Sequence, residues 1–177
     1  MEIEDRFQLA LEETGIFGSS RCLIAFSGGS DSAALSALCA AVMPGSERVF
    51  TAARVSHGIR SWNVEEQETE FCRNFCARIG IPFAALGGTS AVFSSGTGLE
   101  AAARNYRYGL LEQHRKETQS DFILFAHTLE DNRETLLMRV LSGSGPEGLK
   151  GIPSARGCIR RPLLSFTRGE LQEYLQF

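Results

Sequence analysis

Short unbroken apolar runs alternate along this chain with longer stretches in which apolar positions return every three or four residues. Cys22–Phe26, Val49–Val55, Ile81–Leu86 and Phe122–Ala126 are runs of strand length, suited to strands covered on both faces. Helical spacing fills the intervals at Asp31–Ala41, Asn63–Ile79, Leu99–Lys116 and Leu129–Leu141. Residues 6–14 predict a short amphipathic helix closed by Gly15 and Gly18. Thr167 is placed to cap a last helix over 168–176. Pro44-Gly45 and Gly80 stop two of the helices. Glu65, Glu66 and Glu68 sit in the first turns of another, where the helix dipole favours them. The segments 87–98 and 142–151 read as loops and "CIRRPLL" as extended chain. This alternation predicts an α/β fold: a doubly wound, mostly parallel sheet with helices on both faces. It divides into an N-terminal helix over 1–20 and one domain over 21–177.

Ligands in such sheets bind outside the carboxyl ends of the strands. That rule selects the turns at 27–32, 56–60 and 127–131, and each carries unusual polar residues. The first, Ser27-Gly28-Gly29-Ser30-Asp31-Ser32, joins a strand to a helix N-terminus. Two adjacent glycines let an anion approach the main chain, consecutive N–H groups form a nest, and three hydroxyls add donors. A carboxylate beside phosphate is repulsive unless a cation lies between them, so Asp31 points to Mg²⁺ shared with phosphate oxygens. The turn is neither a Walker loop nor a GxGxxG fingerprint. His57 and Arg60 follow the second strand; His127 and Asp131 follow the fourth.

Composition narrows the class. The 177 residues suffice for one domain with a core, 43% are hydrophobic, and the net charge is −3, which argues against a protein that coats itself in nucleic acid. Among the 18 basic residues only Lys116 and Lys150 are lysines, and arginine is the better fork for phosphate and carboxylate. The five cysteines form no CxxC pair and read as reduced thiols of a cytoplasmic protein. The acidic first residues carry no export signal, and no apolar run reaches the ~20 residues of a membrane span.

"SGGSDS" resembles the SGGxDS loop of the PP-loop ATP pyrophosphatases, which split ATP between the α and β phosphates and transfer AMP to a carbonyl oxygen. Four further stretches resemble tRNA(Ile)-lysidine synthetases: "VSHGIR" (55–60), "LEAAARNYRYGLL" (99–111), "AHTLEDNRETLLMRVLSGSGPEGLKGI" (126–152) and "RPLLSFTRGEL" (161–171). Their order and spacing agree from about Cys22 onward. The resemblance implies an adenine nucleotide alpha hydrolase-like, Rossmann-type architecture. It also implies a reaction: ATP adenylates the C2 oxygen of the wobble cytidine of an isoleucine tRNA, and free lysine then displaces AMP. It implies ATP binding at Ser27, Gly28, Gly29, Ser30, Asp31, Ser32, His57 and Arg60. Catalytic roles fall to Asp31, Arg104, Arg107, His127 and Asp131, with Mg²⁺ at Asp31 and a second candidate ligand in Asp131. Ser56, Thr128, Glu130 and Ser142 depart from the family's Asp, His, Asp and Arg. The family's tRNA-gripping C-terminal region is not in this sequence, so weak tRNA binding is expected. Two readings stay open beside it: another PP-loop adenylating enzyme, and a nucleotide-binding module without turnover.

Overall fold

The computed structural model describes residues 2–56, 62–87, 98–143, 145 and 150–176, with backbone alone at 62, 99 and 100. His57, Arg60 and most of the 87–98 loop lie outside the described residues. The elements run α1 (Ile3–Glu13), β1 (Arg21–Ala25), α2 (Ser30–Ala41), β2 (Val49–Val55), α3 (Trp62–Arg78), β3 (Phe83–Leu86), α4 (Leu99–Glu117), β4 (Phe122–Leu124), α5 (Leu129–Leu141), β5 (Ala155–Arg156), β6 (Ile159–Arg160) and α6 (Arg168–Tyr174).

The six strands form one sheet in the order β3-β2-β1-β4-β6-β5. Every pairing is parallel except the terminal β5–β6 hairpin. β2 and β3 extend from one side of β1, while β4 and then β6 lie on the other. The chain therefore reverses its direction of travel at β1, and a crevice opens between the carboxyl ends of β1 and β4, where such sheets take ligands.

Period-two alternation divides the sheet between two cores. Cys22 and Ile24 of β1 and Leu124 of β4 face a cluster with Phe7, Leu11, Leu35, Leu38 and Phe166, all fully buried. Leu23, Ile123 and Phe125 face the other side, under Leu111 and the tyrosines of α4. Helices α1 and α6 close the first face: Phe7 packs edge-on against Phe166 at 6.4 Å, and Arg6 pairs with Glu170 at 2.6 Å.

The structure corrects three boundaries. Ile81 is not in the ladder, because its N–H bonds back to Cys76 O at the exit of α3. The fourth strand stops at Leu124, although Phe125 N still donates to Arg160 O at 2.9 Å. "CIRRPLL" is extended only as far as the hairpin; Pro162 has no N–H to continue a ladder, and the chain turns to bury Leu163 and Phe166.

Leu38 on α2 is fully buried against the sheet. Leu38→Ala is expected to cost about 2–5 kcal/mol in urea unfolding, with the m-value unchanged.

Candidate active site: a phosphate cradle facing His127

A cleft of about 620 Å³ opens in the β1–β4 crevice. Ser27 and residues Gly29 to Ser32 line it from the β1–α2 turn, and Arg107 and His127 line it from α4 and the end of β4. The cradle follows from local chemistry. Gly28 takes φ +86°, a left-handed turn that a side chain resists, and a Cβ there would meet Cys72 Sγ at 3.1 Å. The hydroxyls of Ser27 and Ser32 are turned inward. They approach each other at 3.1 Å, Ser32 Oγ donates to Gly29 O at 2.9 Å, and Ser27 N donates to Ser32 Oγ at 3.3 Å. These two serines therefore brace the loop. Helix α2 begins at Ser30 with Gly29 as N-cap and no side-chain cap. Helices α5 and α6, by contrast, carry full capping boxes from Thr128/Asp131 and Thr167/Glu170. The first N–H groups of α2 thus stay open to an anion.

Arg54 holds the cradle from below. It is a cation inside a strand, 7% exposed. Its guanidinium reaches Ser27 O at 3.4 Å, Thr69 Oγ1 at 3.2 Å and Glu68 Oε2 at 2.5 Å. Glu65 lines the cleft beside it and accepts from Ser56 Oγ. Arg54, Glu65 and Glu68 were missed as site residues by sequence reasoning. The available signal was an arginine inside the apolar run "VFTAARV", where an unpaired charge is costly to bury.

Arginines gather behind the His127 side of the cleft. Phe125 stacks on Tyr108 at 4.9 Å and leans on His127 at 5.9 Å. Arg104 lies over the Tyr108 ring at 5.2 Å, with its guanidinium 3.4 Å from the hydroxyl. Parallel register brings Arg161, which follows Arg160 of β6, alongside the end of β4. Arg161 is 6% exposed and donates to Pro153 O at 2.8 Å. Burial first and then Arg161 press the His127 imidazole below its ordinary pKa; Asp131 pulls the other way, and Arg104 adds a smaller push downward. His127 Nδ1 is buried with no partner among the described residues. Of the two candidate arginines, Arg107 lines the cleft, while Arg104 stands one contact away on Tyr108.

Asp31 and Asp131 converge on a third group. Arg168, at the start of α6, places Nε 3.5 Å from Asp31 and donates to Asp131 Oδ1 at 2.5 Å. Asp131's other oxygen accepts from Thr128 N at 2.7 Å. Glu130 accepts from Arg168 N at 3.0 Å. Ser142 bonds Met138 O at the end of α5. The departures Ser56, Thr128, Glu130 and Ser142 all have structural partners.

An uncapped helix N-terminus behind a glycine turn, at the switch point of a parallel sheet, agrees with a match of the whole chain, residues 1–177, to the PP-loop domain family. The chain belongs to the PP-loop family. Curated relatives of this PP-loop domain include the tRNA(Ile)-lysidine synthases of Pectobacterium atrosepticum and Zymomonas mobilis. The first is 37% identical over 163 residues, 90% of this chain and 36% of its own length. The second is 39% identical over 166 residues, 89% of this chain and 48% of its own length. The chain thus spans between a third and a half of these relatives. Among solved structures, a U34-tRNA thiolase from Methanococcus maripaludis superposes with TM-score 0.75 at 18% identity, covering 98% of this chain and 64% of its own. An NH3-dependent NAD synthetase from Campylobacter jejuni gives 0.63 at 18%, with 98% and 72% covered. At that identity they show the fold. Among the described residues, no helix is long and apolar enough to cross a membrane, and no cluster of His, Cys, Asp and Glu forms a metal cage.

Two predictions arise from this geometry. Gly28→Ala strains both the left-handed turn and the Cys72 contact, and is expected to cost about 1–2 kcal/mol and to weaken pyrophosphate binding in calorimetry. Cys72→Ala in the same chain relieves only the contact. For His127 the folded pKa is depressed, so its contribution to stability is full above the unfolded value of about 6.5 and is lost as pH falls through the folded value. Between pH 7.5 and 5, before most carboxylates titrate, the wild type should lose stability more steeply than His127→Asn in urea unfolding.

Proposed function

We propose that this PP-loop domain adenylates a tRNA for lysine transfer, as the catalytic part of a tRNA(Ile)-lysidine synthase acting in the cytoplasm. The observation that carries the reading is the cleft itself. It brings an open, glycine-turned helix N-terminus into one lining with Arg107 and with a His127 whose pKa is pressed down, in a chain whose curated relatives bear that name.

In this reading the N–H groups of the 28–32 turn hold the β and γ phosphates of ATP, with His57 and Arg60 as further nucleotide contacts. The C2 oxygen of the wobble cytidine of an isoleucine tRNA attacks the α-phosphorus, and pyrophosphate leaves. Arg107 from the cleft lining and Arg104 from behind Tyr108 stabilise the charge that grows on the α-phosphoryl oxygens. The ε-amine of free lysine then attacks C2, AMP leaves, and the amine must lose a proton. His127 is suited to receive it at an imidazole nitrogen, because its surroundings keep it unprotonated near neutral pH.

Asp31 fits Mg²⁺. Its carboxylate is a hard oxygen donor at the mouth of the cradle, 25% exposed, and already faces a cation. Asp131 stands across the same guanidinium as the second candidate ligand. When bound there, the metal ion would supply charge neutralisation for the departing pyrophosphate.

The test uses ATP labelled at the α-phosphate, with Mg²⁺, lysine and isoleucine tRNA. AMP release is expected to require both tRNA and lysine, and to fall by about 10²-fold or more in Asp31→Ala. AMP formed with tRNA but without lysine would leave an adenylating enzyme with another nucleophile. ATP binding with no AMP would favour a module without turnover.

A further inference from the structure

Arg168 ties α6 to the lip of the cleft. Its guanidinium lies among three carboxylates from two other helices: Nε is 3.5 Å from Asp31 of α2, and NH2 is 2.5 Å and NH1 3.7 Å from Asp131 and Glu134 of α5. The backbone N–H of the same residue donates to Glu130. The asymmetry of these contacts matters. Asp131 is held at hydrogen-bond distance, and its other oxygen is locked into the α5 capping box. Asp31 is held only by a longer, offset contact, and its remaining side-chain partner is Ser30 Oγ at 3.4 Å. Of the two aspartates, Asp31 is therefore the more easily given up.

The fold does not need this contact to seat α6. Leu171 is buried, Thr167 and Glu170 form a capping box, Arg6 pairs with Glu170, and Tyr174 bonds Glu4 at 2.9 Å. A partly exposed ion pair adds little stability to such an anchorage. A planar fork pointed at two helices at the mouth of a phosphate cradle is better explained as a counter-charge.

We propose that Arg168 is a built-in cation for the Asp31–Asp131 pair: it draws both carboxylates to one guanidinium before a ligand binds, and yields Asp31 to a divalent metal while retaining Asp131. This rests on the reading of Asp31 as the metal-binding carboxylate. Arg168 is then a positioning residue. It suppresses metal binding before the nucleotide arrives, because a cation entering alone must compete with it. A metal ion arriving with pyrophosphate brings anionic oxygens that hold it against that competition.

The experiment is a Mn²⁺ titration followed by electron paramagnetic resonance on this chain, with and without pyrophosphate. The forms compared are wild type, Arg168→Gln, Arg168→Lys, Asp31→Asn and the Arg168→Gln/Asp31→Asn double variant. Without pyrophosphate, Arg168→Gln is expected to bind Mn²⁺ about tenfold more tightly than wild type, since a like charge has been removed from beside the site. Arg168→Lys, which keeps the charge, should stay within about threefold of wild type. The double variant should lose the gain. A purely structural ion pair predicts the reverse: lower stability in Arg168→Gln and unchanged or weaker Mn²⁺ binding, which would overturn the inference. If wild type binds Mn²⁺ with pyrophosphate through Asp31, yet Arg168→Gln changes nothing, the inference alone falls. If no form binds Mn²⁺ even with pyrophosphate, the metal reading of Asp31 falls and takes the inference with it.

Discussion

The left-handed turn at Gly28 is the constraint on which the site depends. A strand that ran straight into its helix would aim its last carbonyls and first amides along one line. The positive φ at Gly28 instead folds the backbone so that the first N–H groups of α2 open on the crevice. Such a turn is strained unless its neighbours over-determine it. Three do so here. Cys72 fills the space a side chain at Gly28 would take, the serine pair closes the loop from within, and Arg54 holds Ser27 O from below. Burial pushes the Cys72 thiol up to about 11, so the packing partner under the loop is an inert, protonated group. These three contacts brace the loop from within the protein, and bracing of that kind lowers the ordering cost of binding any ligand there.

Charge is sorted across the cleft. Asp31, Asp131 and Glu134 gather at the α2–α5 lip around the Arg168 guanidinium, and Glu130 accepts from the backbone N–H of the same residue. Arg104 and Arg161 gather behind Tyr108 on the other side and bear on His127. On that side Arg107 is the guanidinium that lines the cleft itself, across from the open amides of α2. Such an arrangement suits a reaction whose difficulty is charge on phosphoryl oxygens. The same sorting keeps His127 neutral: burial and two nearby arginines outweigh one carboxylate.

Much of this was legible in the residues. The β1 run, the glycine turn and the helix after it could be placed to within a residue or two, because buried parallel strands and glycine turns leave strong local signals. Of the three strand-end turns selected by topology, those at 27–32 and 127–131 border the cleft, and most of the 56–60 turn lies outside the described residues. Arg54 and Arg168 were not identified as site residues. Their roles depend on which elements become neighbours: β2 beside β1 and α3, and α6 across α2 and α5. The strand end at Pro162 was missed for a different reason. The apolar residues after it read as extended chain, whereas Leu163 and Phe166 are turn residues buried under α1. Burial alone does not report whether a backbone is laddered.

The departures from the family pattern look like losses when read along the chain and like exchanges when read in space. Thr128 lacks the imidazole of the family residue at its position, but it is fully buried and caps α5 through Asp131. That cap fixes the carboxylate that Arg168 grips. Ser56 lacks a charge, but it donates to Glu65, which brings a carboxylate to the cleft lining from α3. Glu130, one methylene longer than Asp, reaches the Arg168 backbone on α6. Thr128 and Glu130 thus bear on how the carboxylate lip is held together, and Ser56 on how Glu65 is held at the cleft. The glycine turn, His127 and Arg107 keep the residue types of the family pattern and line or shape the same cleft.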